Sequence, residues 1–391
     1  MQDSTFKSWW LFTIVIVISF FWAVCAEPMR LSHERRLPKY INKKTLLFSF
    51  SCITLLLMVG CTDSGVDYYN YIDIIERNHY TFKSIFEIDN IEPLFKLLSW
   101  IIMSLFNNPH IILFLIKIVT IIIYFRSFYI AENKIDISLS VLAFLSEIFP
   151  GTFYILRQNL AASLICLCFS HEINNDNTTK KNIIYLLIAV GFHYSSALYL
   201  AVYLFYLAYK SRDNRKNRIR MLLFALVVIV AYFSLSRMVG ILTQLDLYSL
   251  YLDDEQTYDG TGLLQIFYYM PVFIFLYLLF KKKILNTATV FGFIYTAVAF
   301  LCASAGYFLP MFIRMRYYNA PVFCILVPYF VKSIKKQKIT FHISNERYLI
   351  YGIFVCYFIF KMYMTYSMLL APDNDSQLYW YHFFIDLSIK N

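Results

Sequence analysis

Long apolar segments separated by short charged segments run through the whole chain. The clearest are 9–26, 109–130 and 348–370, and each suits a helix that crosses a bilayer, which takes about 20 residues. Because these segments are continuously apolar, they indicate helices and not the alternating strands of a membrane barrel. The pattern predicts an all-α polytopic integral membrane protein, a single domain over 1–391 with about 11–13 transmembrane helices.

The composition agrees with this prediction and argues against a soluble protein. Hydrophobic residues make up 59% of the chain and charged residues 15%, whereas soluble domains carry about 25% charged residues. The net charge of +10 does not indicate a nucleic-acid-binding protein, because the basic residues lie in loops too short to form such a domain. Basic loops of membrane proteins face the cytoplasm. The predicted cytoplasmic loops are 27–44, 210–220, 281–283 and 332–338, and the predicted outer loops are 62–92 and 237–262.

The region 93–209 permits two topologies. Segment 93–106 is short, about 21 Å as a helix, so it either crosses the bilayer or forms a re-entrant half-helix that returns to the outer side. The re-entrant topology requires 183–192 and 195–209 to be two short passes with a break between them. We prefer it, because it keeps the basic loop 174–182 in the cytoplasm.

The outer loop 62–92 contains one predicted helix. Tyr68, Tyr71, Ile72 and Ile75 recur at helical spacing, which predicts a short amphipathic helix at the membrane interface. Asp67 stands at its start and has the weakest case of the candidate site residues, because it is one acid among several in this loop.

Two ionisable residues, Arg157 and His193, interrupt the apolar segments of this region. A charge at the bilayer centre costs about 2.5–3.5 kcal/mol on insertion scales, so such residues mark candidate functional sites. A histidine can act as general base on a hydroxyl group, although His193 is alternatively a hydrogen-bonded residue that breaks its helix. Glu92 precedes Pro93 and stands at a predicted helix start, either as a functional carboxylate or as an ordinary cap.

Arg314 and Arg316 form a second candidate group just after Pro310, with Tyr317 adjoining. A guanidinium binds phosphate oxygens through two parallel hydrogen bonds, so arginines at a membrane boundary suit an anionic headgroup. The alternative is that they only anchor a helix end by snorkelling. No nucleotide or metal motif is present, and we expect neither cofactor nor metal. The residues predicted to collect on the outer face are Asp67, Glu92, Arg157, Gln158, His193, Arg314 and Arg316.

Four successive motifs resemble a known family. They read DYYNYI, EPLFKLL, LRQNLAASL and GFHYSSAL, and they lie within 63–209. This order resembles the EpsG-like branch of the Wzy-type O-antigen and exopolysaccharide polymerases. The positions that match the family motifs are Asp67, Glu92, Arg157, Gln158, His193 and Ser195, and the positions that depart from them are Asn159, Leu160, Val190 and Gly191.

The resemblance implies a metal-independent glycosyltransferase, without a cofactor, at the periplasmic face of a bacterial inner membrane. It would polymerise oligosaccharide repeat units carried on undecaprenyl diphosphate into O-antigen, capsule or exopolysaccharide, and a chain-length regulator is an expected partner. His193 or Glu92 would be the base, with Arg157 as the third catalytic residue. The substrate would be bound by Asp67, Gln158, Ser195, Arg314, Arg316 and Tyr317.

Two other functions are compatible with the sequence. A lipid-linked glycan ligase, or another integral membrane glycosyltransferase, uses the same arginine and histidine chemistry. A flippase or transporter of lipid-linked glycans belongs to a different class. Transporters usually show related halves with helices broken at corresponding positions, and the sequence shows no such internal repeat, so we favour a transporter least.

Overall fold

The computed structural model consists of helices and their connections. It describes residues 2–27, 43–60, 62–65, 67–78, 81–83, 85, 91–174, 178–211, 219, 269, 272–274, 287–305, 315, 317–336 and 346–371. The helices are α1 Gln2–Ala26, α2 Lys43–Gly60, α3 Tyr68–Asn78, α4 Pro93–Phe106, α5 Pro109–Ala131, α6 Ile137–Glu147, α7 Leu156–Asn174, α8 Thr179–Phe192, α9 Ala197–Lys210, α10 Thr287–Ala305, α11 Val327–Lys336 and α12 Glu346–Leu369. Short 3₁₀ turns occupy Phe149–Thr152 and Tyr194–Ser196, and a π-helical turn occupies Val322–Leu326.

Three helices within these residues are long and apolar enough to cross a membrane: Trp9–Ala26, Pro109–Ala131 and Leu349–Leu369. Shorter apolar helices accompany them, among them Lys44–Gly60 and Ile137–Glu147. The prediction of an all-α membrane protein is therefore confirmed. The count of 11–13 spans and the single-domain boundary stay predictions, and the outer loop 237–262 lies outside the described residues.

Helices α2 and α5 are antiparallel and define the two ends of the bundle. At one end, Lys44 at the start of α2 forms an ion pair with Glu132, which follows α5. At the other end, Gly60 at the close of α2 lies against the Phe114 ring near the start of α5. We call these the Lys44 end and the Gly60 end. The Lys44 end is the one that the basic loops predict to be cytoplasmic.

Helix α4 does not cross the bundle. Its last residue, Phe106, is separated from Pro109 of α5 only by Asn107, in the left-handed conformation, and Asn108, which caps α5. Because Gly60 and Pro109 lie at the same end, the chain between them leaves and returns at that end. The start of α4 lies there too, since Glu92, which precedes it, pairs with Arg157 at the start of α7. Both ends of α4 are therefore on the Gly60 side, in agreement with the preferred re-entrant topology, and its position in a bilayer stays a prediction.

Helices α7, α8 and α9 are joined at the Lys44 end by a buried carboxylate. Helix α7 runs in the same direction as α5, since Leu156 and Leu160 at its start share an apolar cluster with Ile112 and Ile116 near the start of α5. Near the end of α7, Glu172 accepts hydrogen bonds from α8 and α9. Its donors are Asn182 at 3.0 Å, Tyr203 at 2.7 Å, Tyr206 at 2.9 Å and Lys210 at 3.2 Å.

The predicted break between two short helices is present. Helix α8 ends at Phe192, His193 is extended with φ −158° and ψ 113°, and α9 begins at Ala197 after one 3₁₀ turn. Each helix has 14 residues, about 21 Å. Glu172 bonds to Asn182 near the start of α8 and to Lys210 at the end of α9, both at the Lys44 end. The His193 turn, which joins the opposite ends of these helices, therefore lies towards the Gly60 end.

The predicted amphipathic helix is also confirmed as α3. Tyr68, Tyr71, Ile72 and Ile75 are all buried, and they share one apolar cluster with residues of α4, α5 and α7. This face therefore packs against protein, whereas the sequence predicted that it lies on the membrane interface. The physical reason is that the re-entrant α4 supplies a protein surface for α3 to cover.

A glycine fixes the loop that leads into α3. Gly65 has φ +123°, and a Cβ atom added there would lie 2.3 Å from the Phe153 carbonyl oxygen. We expect Gly65→Ala to cost about 2 kcal/mol or more, since both the backbone conformation and the contact become unfavourable. Thermal unfolding of the purified protein in detergent measures this cost.

The matched control is Gly352→Ala in α12, where an added Cβ meets nothing within 4 Å. Alanine is favoured over glycine inside a helix, so this variant should unfold at or above the wild-type temperature. Equal unfolding temperatures for the two variants would contradict the role assigned to Gly65.

Candidate active site

Glu92 begins the site because proline follows it. A residue before proline is held in the extended conformation, and Glu92 has φ −71° and ψ 144° with Pro93 in the first turn of α4. Its side chain makes no capping hydrogen bond to its own helix. The carboxylate instead bonds to residues of other elements, and only 4% of the side chain is exposed to solvent.

Arg157 meets this carboxylate from α7. It is the second residue of α7, and its Nη1 donates to Glu92 Oε2. The guanidinium carbon lies 5.5 Å from the centre of the Tyr71 ring and 5.3 Å from that of Phe95. Aromatic faces attract a cation where little water is present. The side chain is 18% exposed, so Arg157 is held on three sides while part of it stays accessible.

His193 meets the same carboxylate from the α8–α9 turn. Its Nδ1 lies 2.6 Å from Glu92 Oε1. A carboxylate only accepts, so Nδ1 carries the hydrogen, and in the neutral ring Nε2 is the basic nitrogen. The turn is fixed by its backbone, since the His193 N–H donates to Ala189 O at 2.8 Å and Ser196 Oγ donates to His193 O at 2.8 Å.

The electrostatics of this cluster keep Glu92 ionised. Burial by itself raises the pKa of the Glu92 carboxyl, because it disfavours the charged form. The hydrogen bond from His193 and the positive charge of Arg157 outweigh that effect, and the net pKa lies below the usual range. A buried, ionised carboxylate thus joins two side chains that are 36 residues apart in the sequence (193 − 157).

Three helices begin beside the cluster. Helix α4 starts next to Glu92, α7 starts at Leu156, and α9 starts four residues after His193. The N-terminus of a helix carries about half a positive charge. Helix α8 ends at Phe192, and its partly negative C-terminus beside His193 offsets one of these N-termini. The other two N-termini and the Arg157 guanidinium still exceed the single negative charge of Glu92, so the site favours an anionic ligand.

The other predicted site residues have differing contacts. Asp67 precedes α3, and its carbonyl accepts from Tyr71 N–H at 2.9 Å. Gln158 is buried beside Arg157. Ser195 Oγ lies 2.9 Å from Tyr318 Oη, and Tyr317 lies against Gly151. Arg314 and Arg316 lie outside the described residues, so their predicted role as anion ligands stays a prediction.

Two groups of residues were not predicted as members of the site: the rings beside Arg157 and a further buried ion pair. Tyr71 and Phe95 flank Arg157. A second buried ion pair joins Glu147 of α6 to Lys361 of α12. Lys361 Nζ also lies 4.7 Å from the centre of the Phe323 ring, in the π-helical turn that follows Tyr317 and Tyr318. Glu147 and Lys361 carry the signal that selected Arg157, an ionisable residue within an apolar segment.

No group of three histidine, cysteine, aspartate or glutamate side chains that could hold a metal ion occurs within the described ranges. The expectations of a metal-independent reaction and of no cofactor stay predictions. The groups that the cluster offers for chemistry are an imidazole nitrogen, a guanidinium and backbone N–H groups at helix starts.

Comparison with known families decides the assignment. The model of the EpsG family matches residues 45–383, which include every element of the site. The chain belongs to the EpsG family. This confirms the resemblance drawn from the four motifs and indicates a membrane-bound, polysaccharide polymerase-like role for this family member. No curated protein and no solved structure matches the chain.

The approach of α4 to α8 depends on Gly191. A Cβ atom added there would lie 2.5 Å from Leu94 Cδ1 and 2.6 Å from Leu94 Cγ. We expect Gly191→Ala to push α4 away and to lower the unfolding temperature of the purified protein. Leu94→Ala removes the atoms that clash, so the double variant should lose less stability than the two single variants together. Strictly additive losses would show that this contact does not set the helix spacing.

Proposed function

We propose that this EpsG-family protein polymerises oligosaccharide repeat units that are carried on undecaprenyl diphosphate. The observation that carries the proposal is the buried Glu92 carboxylate, which brings a cation and a histidine base to one point. Such a pair suits a reaction in which a hydroxyl group must lose a proton while a diphosphate leaves. Membership in the family supports the choice of a glycan substrate.

The reaction transfers the growing chain from its lipid to the terminal sugar of an incoming unit. The acceptor hydroxyl oxygen attacks the anomeric carbon of the donor, and a new carbon–oxygen bond forms there. The bond between that carbon and the diphosphate oxygen breaks, and its electron pair leaves with the lipid diphosphate. The hydroxyl proton passes to His193 Nε2, which the hydrogen bond at Nδ1 leaves as the basic nitrogen.

His193 is a better base than Glu92 in this geometry. Both carboxylate oxygens of Glu92 are engaged, one with Arg157 and one with His193, and the pKa of Glu92 lies below its usual range. A carboxylate in that state is a weak proton acceptor. Glu92 is therefore assigned as a positioning residue that orients the imidazole and stabilises it once it is protonated.

Arg157 is assigned to the leaving diphosphate. Its guanidinium is partly accessible, it lies beside three helix starts, and it is held by Glu92, Tyr71 and Phe95. Fixed positive groups of this kind stabilise charge as it develops on a leaving group. Arg314 and Arg316 would add to this binding if they face the same side, together with Ser195, Gln158, Asp67 and Tyr317 as sugar or lipid contacts.

We place the reaction at the periplasmic face of a bacterial inner membrane. The cluster lies towards the Gly60 end, and the basic loops predict that the Lys44 end faces the cytoplasm. Lipid-linked donor and acceptor would reach the site from the bilayer, and a chain-length regulator would act as a further partner.

The first test is His193→Ala in a deletion strain, read as the length distribution of surface polysaccharide on a gel. Loss of a positioned general base typically costs about 10²–10⁴-fold in rate, so the ladder of the wild type should collapse to single repeat units. The matched control is His171→Ala, the same substitution near the other end of α7, where the ring stacks on Tyr185. The control should keep the ladder.

Other outcomes assign other functions. A normal ladder in His193→Ala, at equal protein level in the membrane, would remove this residue from the reaction. A deletion strain that loses all attached sugar, single units included, would point to a glycan ligase or a flippase.

A further inference from the structure

Glu92 occupies the position that a substrate anion needs. Its Oε2 accepts from Arg157 Nη1, so the internal carboxylate already uses part of the guanidinium that the proposed function assigns to the diphosphate. Its other oxygen is bonded to His193 at 2.6 Å. One carboxylate is thus shared between the cation that would bind the donor and the base that would activate the acceptor.

We propose that Glu92 is a built-in competitor of the donor diphosphate for Arg157, and that donor binding moves the carboxylate from Arg157 to His193 alone. This inference rests on the proposed function, because it takes the diphosphate as the ligand of Arg157. It adds an order of events: the donor binds first, and His193 becomes a stronger proton acceptor only after that.

Charge balance in a buried site supports the exchange. The Glu92 side chain is 4% exposed and Arg157 is 18% exposed, so an anion that reaches Arg157 lies next to a carboxylate with little water between them. Like charges at such a distance repel strongly. The repulsion is relieved without breaking the other bond of Glu92, because Oε1 already faces His193.

The exchange also couples donor binding to catalysis. While Arg157 neutralises Glu92, the carboxylate stabilises a protonated His193 only weakly. When the diphosphate takes over Arg157, the full negative charge of Glu92 acts on the imidazole, and proton transfer from the acceptor hydroxyl becomes more favourable. A hydroxyl group, water included, is therefore activated poorly before the donor is in place.

The test measures the affinity of inorganic diphosphate for the full chain in nanodiscs of phosphatidylcholine, by isothermal titration calorimetry. Glu92→Gln removes the competing charge and keeps the side-chain size, so we expect about tenfold tighter binding than in the wild type. Arg157→Ala should abolish binding in both the wild-type and the Glu92→Gln background. If Glu92 only holds Arg157 in place, the Glu92→Gln variant should bind diphosphate as weakly as the wild type or more weakly. That result would overturn the inference.

Glu172→Gln is the matched control. Glu172 is also a buried carboxylate with a basic partner, Lys210, but it lies near the Lys44 end of α7. Its substitution removes the same charge and should leave diphosphate affinity unchanged. Equal tightening in both variants would indicate a general change in net charge and would overturn the inference.

A measurement on the wild type covers the case in which Glu92→Gln does not fold. Diphosphate should change the carboxylate stretching bands in an infrared difference spectrum, because Glu92 changes partners. A spectrum without a carboxylate change would count against the exchange. Adding one-third phosphatidylglycerol to the nanodiscs tests phospholipid headgroups as the source of the anion. Competition as strong as that of diphosphate would assign the site to those headgroups and overturn the inference.

The outcome separates the two claims. If the wild type extends chains but Glu92→Gln does not bind diphosphate more tightly, the polymerase proposal stands and the exchange is refuted. Tightening in Glu92→Gln, without any chain extension by the wild type, leaves the anion exchange and removes the polymerase.

Discussion

A buried carboxylate is stable only if its charge is compensated, and this constraint organises the described part of the site. Glu92 is almost fully enclosed, and desolvation opposes its ionisation. Arg157 and His193 supply the compensation, one at each oxygen. Without Arg157, Glu92 would carry an uncompensated charge in a region with little water, and without His193 its other oxygen would lose a hydrogen-bond donor. One ionised group thus joins the starts of α4 and α7 to the turn between α8 and α9.

The surrounding helices make this meeting possible. Helix α4 enters and leaves at the Gly60 end, which brings Glu92 into the bundle, and Gly191 lets α8 approach Leu94 of that helix. Near the C-terminus of α7, Glu172 bonds to both α8 and α9, so the two helices that carry the His193 turn are held together at their opposite ends. The bundle is therefore pinned by buried carboxylates near both ends, each of them satisfied by partners from other helices.

The sequence predicts the fold class and part of the site for physical reasons. Long apolar segments leave no alternative to membrane helices, and an ionisable residue in such a segment is costly enough to mark Arg157 and His193. The sequence does not reveal that Glu92 joins them, since the contacts span 65 and 101 residues. Loop charges also left the course of α4 open, and the lipid-linked substrate rests on family resemblance together with the chemistry of the cluster.

A structure with a donor analogue tests the central claim most directly. The analogue is a polyprenyl-diphosphate-linked sugar with a non-transferable linkage, bound to the wild-type protein in nanodiscs and imaged by electron cryomicroscopy. The account predicts phosphate oxygens within hydrogen-bonding distance of Arg157, the anomeric carbon facing His193, and Glu92 bonded to His193. Phosphates bound elsewhere, for example at the Lys44 end with the Arg157–Glu92 pair unchanged, would contradict it.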